Sequence, residues 1–289
     1  MKLADIYTSN TDSPIISFEF FPPKNQDDIE TTFKENVFEL LKFNPTLISV
    51  TSSSCGNKDI NSKKTLEFFI DNTNVAIMPH LTCYCASKSN IDGKLDYIKS
   101  LGCENILALR GDEPNDTTVC YKDFRYASDL VDYIHSKTDF SIAVAGYPEG
   151  HIDSVNIDED IENLKRKVEN GGQIIITQLF FNNNKLYDYM EKLKSKGIDV
   201  PVVAGIMPII SFKQIEKMTS MARISIPDKI ASGIEKYKEN SDDIKKFGVD
   251  IAINQCQNLI ENGVKNLHFY TLNHSNQVKE ILKNIKRGN

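Results

Sequence analysis

Ile15-Ile16-Ser17-Phe18-Glu19-Phe20-Phe21-Pro22-Pro23-Lys24 is an apolar run that admits one carboxylate and is then stopped by two prolines. It has the length of a strand, and Pro-Pro ends any ladder because proline lacks the donor N–H. The same design recurs at residues 47–51, 75–82, 106–110, 142–147, 174–179, 202–206 and 267–272. Most of these runs also end on a polar group: Thr51, His80, Arg110 with Asp112, Tyr147, Gln178 and Tyr270. Helix-period segments separate them. Short runs buried on both faces and alternating with helices are the signature of parallel strands, and eight such units predict a closed barrel. The expected fold is therefore α/β, a (β/α)8 TIM barrel, in which reactive groups gather at the carboxyl ends of the strands.

Between the seventh and eighth runs the pattern predicts three extra helices, at 211–221, 227–237 and 241–261. They make an elaborated layer before the last strand rather than a second domain. Ser87 or Ser89 is placed to cap a helix running to Leu101, Asp158 to start one through Val168, and Pro227 suits a first helical turn. At 289 residues one barrel of about 250 residues accounts for the chain.

The net charge of -6, with both signs interspersed, gives no basic stripe for nucleic acid. A hydrophobic fraction of 40% supplies a core, yet no run reaches the roughly 18 apolar residues of a membrane span. Met1-Lys2-Leu3-Ala4-Asp5 lacks the apolar stretch of a signal peptide, so the cytoplasm is expected. Cys55, Cys83, Cys85, Cys103, Cys120 and Cys256 show no paired metal spacing, and reduced, mostly buried thiols are expected. No metal site is expected. G-x-G-x-x-G, the P-loop, H-E-x-x-H and the nucleophile elbow are all absent, so barrel loops must hold any cofactor.

Glu19 stands among aromatics, and desolvation there would raise its pKa and suit it to deliver a proton. In Leu109-Arg110-Gly111-Asp112-Glu113-Pro114 a buried strand drops into a charged turn. The arginine suits a phosphate and the glycine allows close backbone approach. His80 and His151 follow corresponding strands, and the Gln178 amide can read the edge of a heteroaromatic ring. Asp160, Asn163 and Lys167 are spaced to share one helix face.

S-F-E-F-F-P-P-K (17–24), P-H-L-T-C (79–83), L-R-G-D (109–112), Y-A-S-D-L (126–130), G-Y-P-E-G-H (146–151), N-L-K-R-K (163–167), T-Q-L-F-F (177–181) and H-F-Y-T-L-N (268–273) occur in the order seen in the methylenetetrahydrofolate reductase family. Each is weak alone; the ordered set, over residues 17–273, resembles that family specifically. The resemblance implies a single flavin-binding domain over residues 1–289 with no regulatory domain. It implies a ping-pong cycle in which NADH or NADPH reduces FAD and the flavin reduces 5,10-methylenetetrahydrofolate to 5-methyltetrahydrofolate, for one-carbon metabolism and methionine supply.

By the same resemblance Glu19 is the acid and Asp112 the carboxylate beside flavin and pterin. FAD would be held by Thr51, His80, Arg110, Gly111, Asp112, Tyr126, Ala127, Tyr147, His151, Asp160, Asn163, Arg166 and Lys167. Glu19, Asp112, Gln178, Gln214 and His274 would face the folate, and a homo-oligomer is expected. Three departures from the family pattern stand out: Ser52-Ser53-Ser54 replaces Tyr-Gly-Ala, Met218 an aromatic, and His274 an arginine for the glutamate tail. A proline dehydrogenase-like barrel oxidase of another small amine, or a flavin-bearing folate subunit working only with partner chains, are the competing readings. Methylenetetrahydrofolate tested against proline separates the first, and activity of the purified chain with NADH alone argues against the second.

Overall fold

The computed structural model describes residues 1–8, 13–52, 59–112, 120 and 123–286. Eight parallel strands close into a barrel in sequence order: β1 (Ile15–Phe20), β2 (Leu47–Val50), β3 (Ala76–Thr82), β4 (Asn105–Leu109), β5 (Ser141–Gly146), β6 (Ile174–Thr177), β7 (Val202–Ile206) and β8 (Asn266–Tyr270), with β8 pairing back onto β1. All eight predicted runs are strands, with ends moved by one or two residues.

The helices are α1 (Leu3–Thr8), α2 (Thr32–Leu41), α3 (Asp59–Asn72), α4 (Lys88–Ser100), α5 (Ala127–Lys137), α6 (Ile157–Glu169), α7 (Asn183–Ser195), α8 (Phe212–Ala222), α9 (Asp228–Tyr237), α10 (Ser241–Glu261) and α11 (Asn276–Asn284), with a 3-10 turn at Gln26–Glu30. The three extra helices before the last strand are α8, α9 and α10. Ser87 rather than Ser89 caps α4, accepting from the Asn90 N–H. Asn156, not Asp158, caps α6, because its side chain reaches the Glu159 N–H.

Alternation along the strands sorts side chains between two cores. On β1, Ile16, Phe18 and Phe20 pack outward under the helices. Ile15 points into the barrel, and Ser17 faces the inward groups Tyr7 and His268. Inside, Ile15, Leu47, Met78, Leu107, Ile174, Ile176 and Val203 form the lower packing layer.

Helix α1, which the sequence pattern did not announce, plugs that end with Leu3, Ile6 and Tyr7. Burying each such side chain stabilises by about 1.5–3 kcal/mol, and Leu3 N–H is further held by Asn105 Oδ1 at 2.9 Å. With Leu3, Ile6 and Tyr7 packed into the lower layer, the polar mouth of the barrel lies at the carboxyl ends of its strands. Helices α8 to α10 close over one flank of that end through Leu179, Phe181, Met207, Ile209, Ile215, Ile230 and Ile244.

The expectation of reduced cysteines is corrected in one place. Cys85 and Cys120 form a disulfide, with a Cα–Cα separation of 4.4 Å. Cys85 follows β3 and Cys120 follows β4, and these strands are neighbours in the barrel. Pairing of strands therefore brings together residues 35 apart in sequence. Cys85 has φ 56°, so the chain turns there instead of continuing β3. Cys83, Cys103 and Cys256 are buried thiols. Cys55, Ser53, Ser54, Glu113 and Pro114 lie outside the described residues.

Candidate active site

Glu19 does not sit in the aromatic pocket that its neighbours in sequence imply. Phe18 and Phe20 point away from it, and the carboxylate turns into a polar layer inside the barrel mouth. It is 6% exposed. Its Oε2 lies 3.4 Å from His80 Nε2 and 4.0 Å from His268 Nε2. Strand register builds this layer: Glu19 is level with Ser49 on β2 and Tyr270 on β8, and Ser17 is level with His268.

Below the carboxylate a chain of polar atoms runs down the barrel. Tyr7 donates to Ser17 Oγ at 3.3 Å, Ser17 Oγ meets His268 Nδ1 at 2.8 Å, and His268 Nε2 meets Ser49 Oγ at 3.3 Å. Burial pushes His80 down to about 4, against the opposing pull of the Glu19 charge. Near neutral pH this imidazole is thus uncharged, and it does not compete with Glu19 as a cation. Burial likewise pushes the Tyr7 phenol up to about 12, so it stays protonated.

Tyr270 closes the opposite wall by donating to the Thr177 carbonyl at 2.6 Å. Gly205 makes this possible: a Cβ there would come within 2.3 Å of that carbonyl oxygen and 2.7 Å of the Tyr270 ring. Thr271 Oγ1 donates to the Glu19 carbonyl at 2.6 Å. Asn273 clamps Phe21, accepting from its N–H and donating to its carbonyl, both at 2.8 Å. Leu272 and Asn273 take left-handed conformations to make the turn, and His274 is left exposed at its tip. Gln178 N–H donates to Gly146 and its own Oε1 accepts from Leu179 N–H.

Beside the mouth, between the ends of β4 and β5 and helices α5 and α6, lies a cavity of about 310 Å³. Arg110, Tyr126, Ala127, Tyr147, His151, Asp160, Asn163, Arg166 and Lys167 all line it, joined by Asp153, Ser154 and Glu159. Thr51, His80, Gly111 and Asp112 are not among its lining residues. Thr51 ends β2 with its N–H on the Phe20 carbonyl, and Asp112 is exposed. Gly111 has φ 85°, and a Cβ would meet Thr82 at 3.0 Å; here the turn after β4 presses against the end of β3.

The cavity is charged and incompletely paired. Lys167 Nζ donates to the Ala145 carbonyl at 2.6 Å, and burial pushes its ammonium down to about 8 although Asp160 opposes this. Burial pushes Asp160 up to about 6 against the pull of Lys167, and its Oδ2 has no hydrogen-bond partner among the described residues. Arg110 rests on Asp153 at 2.9 Å. Both side chains are substantially exposed, and such a surface pair contributes only about 0–1 kcal/mol, so Arg110 is cheaply released to another anion.

Cations that lack full compensation beside an orphan carboxylate oxygen suit a ligand carrying phosphate and hydroxyl groups. A larger hollow of about 580 Å³ lies at the other end of the barrel, but its one carboxylate, Glu104, is paired with the amino terminus. We place the site at the mouth for that reason. Among the described residues no His, Cys, Asp and Glu cluster could hold a metal, and no helix is long and apolar enough to cross a membrane.

The model of the methylenetetrahydrofolate reductase family matches residues 3–286. The chain belongs to this family. It is 37% identical to the 5,10-methylenetetrahydrofolate reductase of Buchnera aphidicola, covering 92% of this chain and 89% of that protein. With the Escherichia coli enzyme of the same name it shares 34% identity, covering 89% and 86%. The Arabidopsis thaliana methylenetetrahydrofolate reductase (NADH) 1 is 36% identical over 99% of this chain but only 51% of its own length. The chain thus spans about half the length of its plant and fungal relatives. An uncharacterized protein from Clostridium thermocellum that binds two copies of 5-methyl-5,6,7,8-tetrahydrofolic acid has the same fold, with a TM-score of 0.60 at 15% identity and coverage of 94% and 93%.

Two positions associated with folate in the family are arranged in ways that the sequence could not show. Gln214 is folded back on the β7–α8 loop, accepting from Ile210 N–H at 3.0 Å and donating to the Pro208 carbonyl at 3.2 Å. Met218 packs in the apolar layer with Ile215 and Phe212. Ser17, Ser49 and His268, which complete the surroundings of Glu19, carried a signal only as inward positions on strands. His268 stood in plain view in H-F-Y-T-L-N, but nothing local showed which residues it would face.

Proposed function

We propose that this protein reduces 5,10-methylenetetrahydrofolate to 5-methyltetrahydrofolate at the carboxyl end of the barrel, with NADH or NADPH as electron donor and FAD as resident cofactor. The observation that carries this reading is Glu19, buried in the open end of the barrel beside an uncharged His80, with a cation-lined cavity alongside. The family membership supplies the chemical context.

The residues present fit the dinucleotide part of FAD. Arg110, Arg166 and Lys167 supply positive charge for its diphosphate, and the unpartnered Asp160 Oδ2 can accept from a ribose hydroxyl. When bound, the flavin supplies hydride transfer between nicotinamide and folate.

Glu19 delivers a proton to N10 of the folate, which turns a poor leaving nitrogen into a competent one and lets the five-membered ring open. His80 and His268 flank the carboxyl group at 3.4 and 4.0 Å, and His80 carries no competing positive charge near neutral pH. Ring opening leaves a 5-iminium cation, and the fixed negative charge of Asp112 favours that cation over the neutral starting ring. The Gln178 amide can pair with the edge of the pterin or of the nicotinamide. All these groups lie on one barrel, which we take as a single catalytic domain.

The test is a visible spectrum of the purified protein, followed by anaerobic bleaching with NADH or NADPH and recovery on adding methylenetetrahydrofolate. A flavin spectrum that bleaches and recovers, with 5-methyltetrahydrofolate formed, supports the reading. A protein that takes up no flavin, or forms no methyl product, defeats it.

A further inference from the structure

We propose that Glu149 is a positioning residue: by holding Ser225 it fixes helix α8 as a bridge across the end of β6, and so sets the affinity for both substrates. The consequence for affinity rests on the functional reading above; the bridge itself does not.

Glu149 belongs to the G-Y-P-E-G-H turn after β5 and does not line the cavity. Gly150 N–H donates to the Tyr147 carbonyl at 2.9 Å, closing a four-residue turn with Pro148 second and Gly150, at φ 85°, last. Glu149 stands third in that turn. Its two carboxylate oxygens accept from the Ser225 N–H at 3.3 and 3.2 Å, and one of them also accepts from the Ser225 hydroxyl. Beside this contact Arg223 Nη1 donates to the Ile152 carbonyl at 3.1 Å. Arg223 has φ 51°, the left-handed conformation that ends α8 and turns the chain toward this loop.

Topology turns the contact into a bridge. Helix α8 starts after β7, yet its far end is fastened to the loop after β5. Strand β6 lies between β5 and β7, so the helix crosses over the end of β6, where Gln178 stands. Two inter-strand steps span about 10 Å, and a helix of 11 residues is about 16 Å long, so the length suffices.

The fastening matters because α8 is lightly anchored. Of its residues only Ile215 is fully buried. An apolar groove, lined by Phe212, Ile215, Thr219, Ile226 and Ile234, runs between α8 and α9. It is the space into which α8 tilts once its end is released. A ligand that needs the bridged arrangement binds roughly tenfold more weakly if that arrangement falls to about a tenth of the population. Folate and nicotinamide both meet Gln178 in the reading above, so both respond.

The experiment uses the full chain purified with its flavin. Glu149→Ala should raise KM for methylenetetrahydrofolate and for NADH roughly tenfold, with kcat changed less than about twofold, because Glu19 and Asp112 stay in place. Glu149→Gln keeps one accepting oxygen and should recover most of the loss. Ser225→Ala should raise both KM values less. Adding it to Glu149→Ala should change nothing further, since the Ser225 hydroxyl acts through Glu149. Hydrogen exchange at the Ile224 amide, bonded to the Thr219 carbonyl, should quicken roughly tenfold in Glu149→Ala. The Thr138 amide, bonded to the Ile134 carbonyl at the end of α5, should keep its rate.

Unchanged KM values, a fall in kcat as large as the rise in KM, additive effects in the double variant, or unaltered Ile224 exchange each overturn the proposal. If Glu149→Ala fails to fold, Ser225→Ala and Arg223→Gln decide it through the same KM values and the same amide. If the chain turns over no folate while Ile224 exchange responds as stated, the functional reading falls and the bridge stands.

Discussion

Replacing Glu19 by glutamine should separate the two halves of the proposed cycle, and the structure bounds what else it can do. Glutamine keeps the size and the hydrogen-bonding oxygen but cannot transfer a proton. If His80 were charged, a pair 3.4 Å apart would interact by roughly 5 kcal/mol at an effective dielectric constant near 20, and its loss would threaten the fold. It is not charged near neutral pH, because burial holds it down to about 4. The substitution therefore removes only the attraction of a carboxylate for a neutral ring, about 1 kcal/mol, which lowers Tm by only about 2–4 °C.

Loss of a positioned general acid costs about 10²–10⁴ in rate, or ~3–5 kcal/mol of barrier. That exceeds the structural effect, so the two are distinguishable. Stopped-flow absorbance should show flavin bleaching by NADH at nearly the wild-type rate, and recovery with methylenetetrahydrofolate slowed by those orders. Equal slowing of both halves would mean that Glu19 only holds a shared site together. No slowing in either would place the acid elsewhere.

Other expectations follow from the same geometry. Arg110→Ala and Lys167→Ala should each speed flavin loss, since a charge-assisted phosphate bond contributes ~1.5–3 kcal/mol; unchanged off-rates in both would remove the cavity from flavin binding. His80 should make the protein acid-sensitive: the unfolded chain takes its proton below about pH 6.5, the folded one only near 4, so acid favours unfolding by ~3 kcal/mol across that window. His80→Gln should flatten this part of a stability–pH curve from denaturant titration; an unchanged slope refutes the burial argument. Gly205→Ala should cost at least about 1–3 kcal/mol through overpacking against the Thr177 carbonyl, and should raise the KM for folate as Tyr270 shifts, whereas unaltered Tm and KM would show that the wall yields freely. His274→Arg should make folate affinity less dependent on pH, because guanidinium stays charged where imidazole titrates; the same profile as wild type would remove His274 from tail binding.

Strand and helix placement was legible in the sequence because it rests on local periodicity. Each apolar run reads as a buried strand, each amphipathic segment as its cover, and eight such units match the count of a (β/α)8 barrel. The charged turn at Arg110-Gly111-Asp112 and the helix face bearing Asp160, Asn163 and Lys167 could be read for the same reason: residues close in sequence stay close on one turn or one face. Even the place of Glu19 at a strand end followed from counting along β1.

What Glu19 faces did not follow. Its neighbours in sequence are phenylalanines, and alternation throws those outward, while His80, Ser49 and His268 arrive from β3, β2 and β8 by register. Helix α1 was missed because six residues carry too little periodicity to announce a helix, and its role as a plug exists only once the barrel is closed. The Cys85–Cys120 pair was misread because adjacency of β3 and β4 and a left-handed Cys85 bring the two sulfurs together, and neither is written locally. Local chemistry determines the elements and the residues offered at their ends. Closure of the sheet decides which of those residues meet, because pairing and register act between segments distant in sequence.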